Sequence, residues 1–430
     1  MNPSEIREYL LDFQKKELPV LVKRNLRTAF TNKIITIIGP RRAGKTYFLY
    51  EQMEDFIKKG VKKENILYLN FEEPRLTGIT FKEIKEIIKL HWQLYPETIK
   101  STTYIFIDEP QNVDGWEIAV RGLHDDGFKL FLTGSSSKLL SKEIATSLRG
   151  RTLSYLLLPF SFKEFVTTRN INLNMKKLSS QEHSLLLNAL HDYTAFGGFP
   201  EVVLEDNKEI KLKILHEYLN LVVYRDIIDR YKIRNIQLVK WIIKSLLSSF
   251  AKEFSVHKLY LTLKSQGINL SKNTLYSYLS ILEDSNFIFT LQKFNYSIRK
   301  RELGINKVYL ADIGFAHIGE NSKDTGRKIE NIVFLELIKE NRDKQEVFYW
   351  KNQQQEEVDF VIKENNHIKE LVQVCYDIKN SETKKREIRA LLKAGKELKC
   401  KNLTIITWDY EHTAKGIQFI PLWRYLSNSF

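Results

Sequence analysis

Residues 39–46 read Gly39-Pro40-Arg41-Arg42-Ala43-Gly44-Lys45-Thr46 and match G-x-x-x-x-G-K-[ST] at every specified place. Each residue type there suits an anion. The two glycines let the backbone curl so that successive N–H groups point at phosphate oxygens. A helix opening at Lys45 would turn its positive end and unpaired N–H groups toward the same anion. Lys45 can reach the β- and γ-phosphates, Thr46 can offer its hydroxyl to a magnesium ion, and Tyr47 completes the candidate binding stretch. Downstream, the apolar run Tyr104–Ile107 ends in Asp108 and Glu109. Asp108 could hold magnesium through water together with Thr46, and Glu109 could polarise the water that attacks a γ-phosphate. Adjacent acids at a strand end also serve as plain strand-to-turn punctuation.

These side chains need a frame. Ile34–Ile38 is apolar and short, as a buried strand before the loop should be, and Thr46–Lys59 reads as the helix after it, ending at Gly60. Ile66–Phe71, Tyr104–Ile107, Lys129–Leu132 and Leu153–Leu158 read as further strands, separated by helical spacing over Phe81–Leu94 and Trp116–Leu123. Such alternation predicts an α/β fold, a doubly wound parallel sheet with its ligand at the carboxyl ends of the strands. Residues 1–31 read as an introductory helix and 32–159 as the core. From Phe160 helices dominate, so 160–250 reads as a helical lid, interrupted by Gly197-Gly198-Phe199-Pro200. Over 251–320 come a helix, a turn at Gly267, a second helix capped by Ser271, a strand, and the basic run Ser297–Arg301. That is the layout of a winged helix-turn-helix. Its second helix carries Lys272, Asn273, Thr274, Tyr276 and Tyr278, which suit DNA contact or, equally, docking to protein. Residues 321–430 read as a last unit, ordered helix, three strands, basic helix and a final strand at Leu403–Thr407.

Bulk properties bound the partners. At 430 residues the chain suggests about three domains. The net charge of +14 suits a polyanion such as DNA, although a Lys-, Ile- and Asn-rich sequence is also the imprint of an AT-rich genome. No apolar run approaches the roughly 20 residues that cross a bilayer, and the charged first 24 residues do not read as a secretory signal. Cys375 and Cys400 are the only cysteines, which predicts neither a disulfide framework nor a cysteine zinc site. The expected compartment is the cytoplasm.

The loop, the IFIDE acids, the LFLTGSSS strand end and a following arginine pair together resemble the AAA+ ATPases, in particular archaeal and STAND-related signalling types. The resemblance implies ATP and Mg2+ as cofactors. It also implies a γ-phosphate-sensing polar residue after the fourth strand, a place filled by Thr133 or Ser135. Arg149 and Arg151 resemble arginine fingers that act on a neighbouring subunit's ATP, which implies self-association; an ordinary helix-end cation is the alternative for Arg149. Gly197-Gly198-Phe199-Pro200 is similar to a lid turn that lies near the adenine.

The tail resembles the PD-(D/E)XK, restriction-endonuclease-like fold. An active member gathers magnesium with a helix glutamate, a strand-end aspartate and an E-x-K on the next strand. Here Glu330 or Glu336 would be the helix acid and Asp359 the aspartate, but Gln373 and Cys375 stand where glutamate and lysine belong. Glutamine is a poorer magnesium ligand, and cysteine cannot supply the activating cation, although Lys351 or Lys369 could reach in from another strand. The expectation is a degenerate site and nuclease activity absent or weak. The functional expectation is an ATP-hydrolysing protein that acts on or assembles with DNA. The alternative is a nucleotide-gated switch that docks protein partners.

Overall fold

The computed structural model describes residues 2–134, 148, 150–171, 178–319, 324–340 and 345–428. They form two compact units, Met1–Leu157 with Asp284–Asn286, and Leu158–Glu283 with Phe287–Phe430.

The first unit opens with α1 (Pro3–Lys15), started by Pro3 and by the Asn2 side chain, which accepts from Ser4 N at 3.1 Å. The helix expected over 1–31 is therefore half that length: Lys16 is already extended, and Pro19 bars continuation. The core contains β1 (Ile34–Ile38), α2 (Lys45–Lys58), β2 (Ile66–Asn70), α3 (Phe81–Leu94), β3 (Tyr104–Asp108), α4 (Trp116–Asp125), β4 (Lys129–Gly134) and β5 (Thr152–Leu156). The five strands form one parallel sheet in the order β2-β3-β4-β1-β5. Every residue of β1 and β3 is buried, which is why both read as unbroken apolar runs rather than alternating ones. One sheet face packs Leu67, Leu69, Ile105, Ile107, Leu130 and Leu132 with α1, α3 and α4; the other packs Ile35, Ile37, Phe106 and Phe131 against Phe48, Leu49 and Met53 of α2. Because β4 lies between β1 and β3, register fixes the chemistry: Asp108 is the partner of Thr133, and Ile38 that of Gly134.

The second unit begins with α5 (Phe162–Thr168) and α6 (Ser180–Phe196), each started by a capping box, Ser161 with Glu164 and Ser179 with Glu182. After α7 (Pro200–Leu204) and α8 (Lys208–Leu221) the chain widens into a π-helical turn over Val222–Asp229, then continues as α9 (Ile236–Ser249). Next come β6 (Lys252–Glu253), α10 (Val256–Ser265), α11 (Lys272–Asp284), β7 (Ile288–Leu291), α12 (Ile298–Glu302) and β8 (Lys307–Leu310), with β8 central in a three-stranded antiparallel sheet. Ser271 Oγ accepts from Thr274 N, as its capping role predicts. The basic run expected in a β-wing instead forms α12, between the strands.

The tail contains α13 (Thr325–Glu340), β9 (Gln345–Lys351), β10 (Glu357–Glu364), β11 (His367–Cys375), α14 (Ser381–Glu397) and β12 (Leu403–Thr407). Leu403–Thr407 is not the last strand. A hairpin of β13 (His412–Ala414) and β14 (Ile417–Pro421) follows, then α15 (Leu422–Asn428), giving a mixed sheet in the order β13-β14-β12-β11-β10-β9. The hairpin escaped sequence reading because β13 is three residues long and mostly exposed. Helix α6 packs on the tail, with His183 Nε2 3.0 Å from Asp409 Oδ1 and the His191 ring 4.5 Å from that of Trp408. Among the described residues no helix is long and apolar enough to cross a membrane.

Candidate functional site

The 39–46 loop joins the carboxyl end of β1 to the start of α2. Gly39 has φ +153°, and a Cβ there would sit 1.9 Å from the Leu157 carbonyl oxygen, so only glycine fits the turn. Gly44 caps α2 in the left-handed region at φ 92°. Arg42 is also left-handed, at φ 66°. Lys45 is buried, and its ammonium folds back to donate to the carbonyls of Gly39 and Pro40 at 3.1 and 2.8 Å. Arg41 pairs with Glu72 at 3.5 Å, whereas the Tyr47 side chain is exposed.

Asp108 is the centre of the site. Its Oδ2 accepts from Thr46 Oγ1 at 2.6 Å and from Tyr68 OH at 3.1 Å, and its Oδ1 accepts from Thr133 Oγ1. Burial raises its pKa, as does the charge of Glu109, and the hydroxyls of Thr133 and Thr46 together with Lys45 pull it back. Three hydroxyl donors satisfy this carboxyl and fix its orientation beside the Thr46 hydroxyl. Glu109 is buried and left-handed at φ 53°, a conformation costing roughly 1–2 kcal/mol for a non-glycine residue. The kink ends the strand alternation that would send neighbouring side chains to opposite faces. Glu109 N donates to Thr133 O at 3.1 Å, and its carboxylate accepts from Gln111 Nε2.

The register thus brings Thr46, Asp108, Glu109 and Thr133 to one sheet edge. Ser135 and Arg149 lie outside the described residues. Arg151 precedes β5 at the amino ends of the strands, where its carbonyl accepts from Ile34 N and its guanidinium lies 3.3 Å from Asp125. A five-residue strand, about 17 Å long, separates that edge from the loop, so Arg151 does not belong to its own chain's site.

Two residues at this site gave no sequence signal. Buried Arg24 donates through Nη1 to the Ala43 carbonyl at 2.9 Å, and its backbone N–H donates to Glu51 of α2. It pins the loop from a charged segment without a motif. Tyr68 comes from a strand that reads only as core.

In the tail, Glu330 and Asp359 meet, but around a cation that sequence reading did not anticipate. The Lys307 ammonium, from β8, lies 2.8 Å from Glu330, 2.6 Å from Glu357 and 3.1 Å from Asp359. Tyr309, two residues on and so on the same face, donates to Glu330 at 2.7 Å. Burial opposes the charge on Lys307, yet Glu330, Tyr309, Asp359 and Glu357 outweigh it and hold its pKa well above the usual lysine range. Burial and the Asp359 charge push Glu330 up to about 8. Gln373 accepts from Asp359 N at 3.2 Å and donates to Glu387 at 2.8 Å; Cys375 packs in the tail core with its thiol pushed up to about 12 by burial. Neither Lys351, paired with Glu253 and Glu357, nor Lys369, 3.6 Å from Glu364, takes the place of Lys307. Glu336 lies near Lys339 instead. Among the described residues no three His, Cys, Asp or Glu side chains are arranged to hold a metal ion.

Residues 31–166 match a family model described as an AAA domain; residues 187–324 and 325–425 match two described as domains of unknown function, DUF8612 and DUF4143. An uncharacterized protein of Methanocaldococcus jannaschii is 41% identical over 404 residues, covering 92% of this chain and 88% of its own. One of Haemophilus influenzae is 33% identical over 315 residues, covering 72% and 75%. Among solved structures, Cdc6p from Pyrobaculum aerophilum is 13% identical with a TM-score of 0.26, over 70% of this chain and 87% of that one. Drosophila ORC bound to AT-rich DNA and Cdc6 is 11% identical with a TM-score of 0.20, over 74% and 90%.

Proposed function

We propose that this chain, which matches an AAA-domain model over residues 31–166 and belongs to one family with its Methanocaldococcus jannaschii and Haemophilus influenzae relatives, binds ATP with magnesium and hydrolyses it. The observation that carries this reading is the Asp108 carboxylate, bonded to Thr46 at the end of the phosphate loop and to Thr133 on the next strand, with Glu109 beside it. The residues fit the group. Backbone N–H groups of 39–46 and Lys45 would hold the phosphates, and Thr46 and Asp108 the magnesium, which neutralises charge on the γ-phosphate. In this reading Lys45 exchanges its two loop carbonyls for phosphate oxygens. Glu109 orients the attacking water and Thr133 stands by the γ-phosphate. Arg151 of a neighbouring subunit would supply a positive charge, which makes the working form an oligomer.

We assign the second unit an association with DNA, supported by the helix-turn-helix layout of α10 and α11, exposed Lys272, Asn273 and Tyr276 on α11, and the basic α12. Lys307 supports a tail of nuclease-like ancestry without cleavage, because the acids that would gather a metal already surround an ammonium. That same saturation favours a second reading, a nucleotide-gated switch whose tail docks a protein. Steady-state ATP hydrolysis with and without duplex DNA, at low and high salt, separates the two. Stimulation that fades with salt supports DNA association, and indifference to DNA supports the switch. Glu109→Gln should retain ATP and lose turnover by at least about a hundredfold; normal turnover in that variant would refute the assigned water-positioning role.

A further inference from the structure

The backbone of Glu109 is fixed from both sides. Its N–H donates to Thr133 O at 3.1 Å, and its carbonyl accepts from Asn112 N at 3.2 Å. Pro110 locks the next φ, and Pro110–Asn112 form one 3-10 turn, with Val113 N donating to Pro110 O at 3.0 Å. The glutamate side chain on that rigid base is itself flexible, so a carboxylate that must orient water needs a further hold. Gln111, in the middle of the turn, supplies one: its Nε2 donates to Glu109 Oε2. The amide can face a carboxylate only through its nitrogen, because its oxygen has no proton to give. Its Oε1 is then left for another donor, and among the described residues that oxygen is buried with no hydrogen-bond partner. A buried acceptor without a donor is destabilising, and an apolar side chain of the same length would avoid that cost. Glu109, two residues earlier, carries a cost of its own in its left-handed backbone. One hydrogen bond joins these two unfavourable features, next to Asp108 and its bond to Thr46 of the phosphate loop. Packing alone gives no reason to keep either.

We propose that Gln111 is a positioning residue for ATP hydrolysis, its amide holding one carboxylate oxygen of Glu109 so that the other is directed at the attacking water. The assignment rests on the hydrolysis reading given above and adds to it the group that aims the water-orienting acid. Gln111 acts through Glu109 and need not touch the nucleotide.

Gln111→Met keeps the length of the side chain and removes both the donor and the orphaned acceptor. In the full chain with ATP and magnesium, kcat should fall more than about tenfold, as expected when a reacting group loses its aim. The ATP dissociation constant, titrated by calorimetry, should stay within about twofold, because the lost contact serves the transition state and not binding. The midpoint of thermal unfolding should stay at or above the wild-type value. A side chain that merely packs would lose stability and affinity together or change nothing. The second readout is a double-mutant cycle with Glu109→Gln, followed as single turnover of radiolabelled ATP. With the carboxylate gone there is nothing left to aim, so Gln111→Met should lower that residual rate by less than about twofold. A smaller fall in kcat in the single variant, a parallel loss of ATP affinity, or the full loss repeated on the Glu109→Gln background overturns the assignment and leaves the hydrolysis reading standing. Absence of turnover in the wild-type chain overturns that reading, and the assignment with it.

Discussion

Replacing Lys307 with Met tests whether the buried acids of the tail depend on this one ammonium. The side chains of Lys307 and Asp359 are 2% and 8% exposed, and that of Glu330 is 11% exposed. At a separation near 3 Å and an effective dielectric of about 20, each ion contact is worth roughly 5–6 kcal/mol before desolvation. Methionine fills the stem volume but leaves the acids unpaired, and such a loss nets about 3–5 kcal/mol. Tyr309 remains on Glu330 and softens the change. The pH dependence has a definite sign. In the folded chain Glu330 is raised to about 8 from 4.5, so folding takes up a proton between those values. Its contribution is therefore fully present below its unfolded pKa and is lost as pH rises through about 8. Without the ammonium, Glu330 and Asp359 are raised further. The gap between variant and wild type should then widen from pH 5.5 to pH 8.5. Urea unfolding followed by circular dichroism at both pH values gives the gap directly. Adding Glu330→Gln to the Met variant should recover more than about 1 kcal/mol, because one stranded charge disappears. A loss under about 1 kcal/mol at pH 8.5, or a larger loss at pH 5.5, would refute the account of Lys307 as the cation that holds these acids.

Other consequences concern the 39–46 loop and the turn at Gly198. Gly39→Ala would drive a methyl against the Leu157 carbonyl, so nucleotide affinity measured by calorimetry should fall more than about a hundredfold, in line with a loop forced out of a glycine-only conformation. Arg24→Ala removes the donor on the Ala43 carbonyl; we expect about 1–3 kcal/mol less stability and about tenfold weaker nucleotide binding, by thermal melts and titration. Asp312 accepts from Gly198 N at 2.8 Å and Gly314 N at 2.7 Å, and burial raises it to about 7 from 3.8. Its contribution is fully present below about 4 and is lost as pH rises through 7. Asparagine keeps one acceptor and strands one N–H, so Asp312→Asn should destabilise by about 1–3 kcal/mol at pH 5 and by less at pH 8, by urea unfolding at each pH.

Local order was legible where one stretch of chain decides the outcome. The loop 39–46, the buried strands at Ile34–Ile38 and Tyr104–Ile107, the cap at Ser271 and the acids Asp108 and Glu109 depend on backbone sterics, burial and neighbours within a few residues. Composition and periodicity report these directly. Three things depended on contacts made far along the chain. Pairing of β3 with β4 brought Thr133 to Asp108, and a guanidinium from Arg24 reached the loop across 19 residues. Placement of β8 put Lys307 among Glu330, Glu357 and Asp359. A nuclease-like tail would carry an acid and a lysine on β11 where Gln373 and Cys375 stand. Nothing in the KVYL run announced a replacement, because a lysine in a short strand reads as exposed until tertiary packing surrounds it with carboxylates. Residue types set which chemistry was possible, and long-range packing decided which charges are held ready and which are already neutralised.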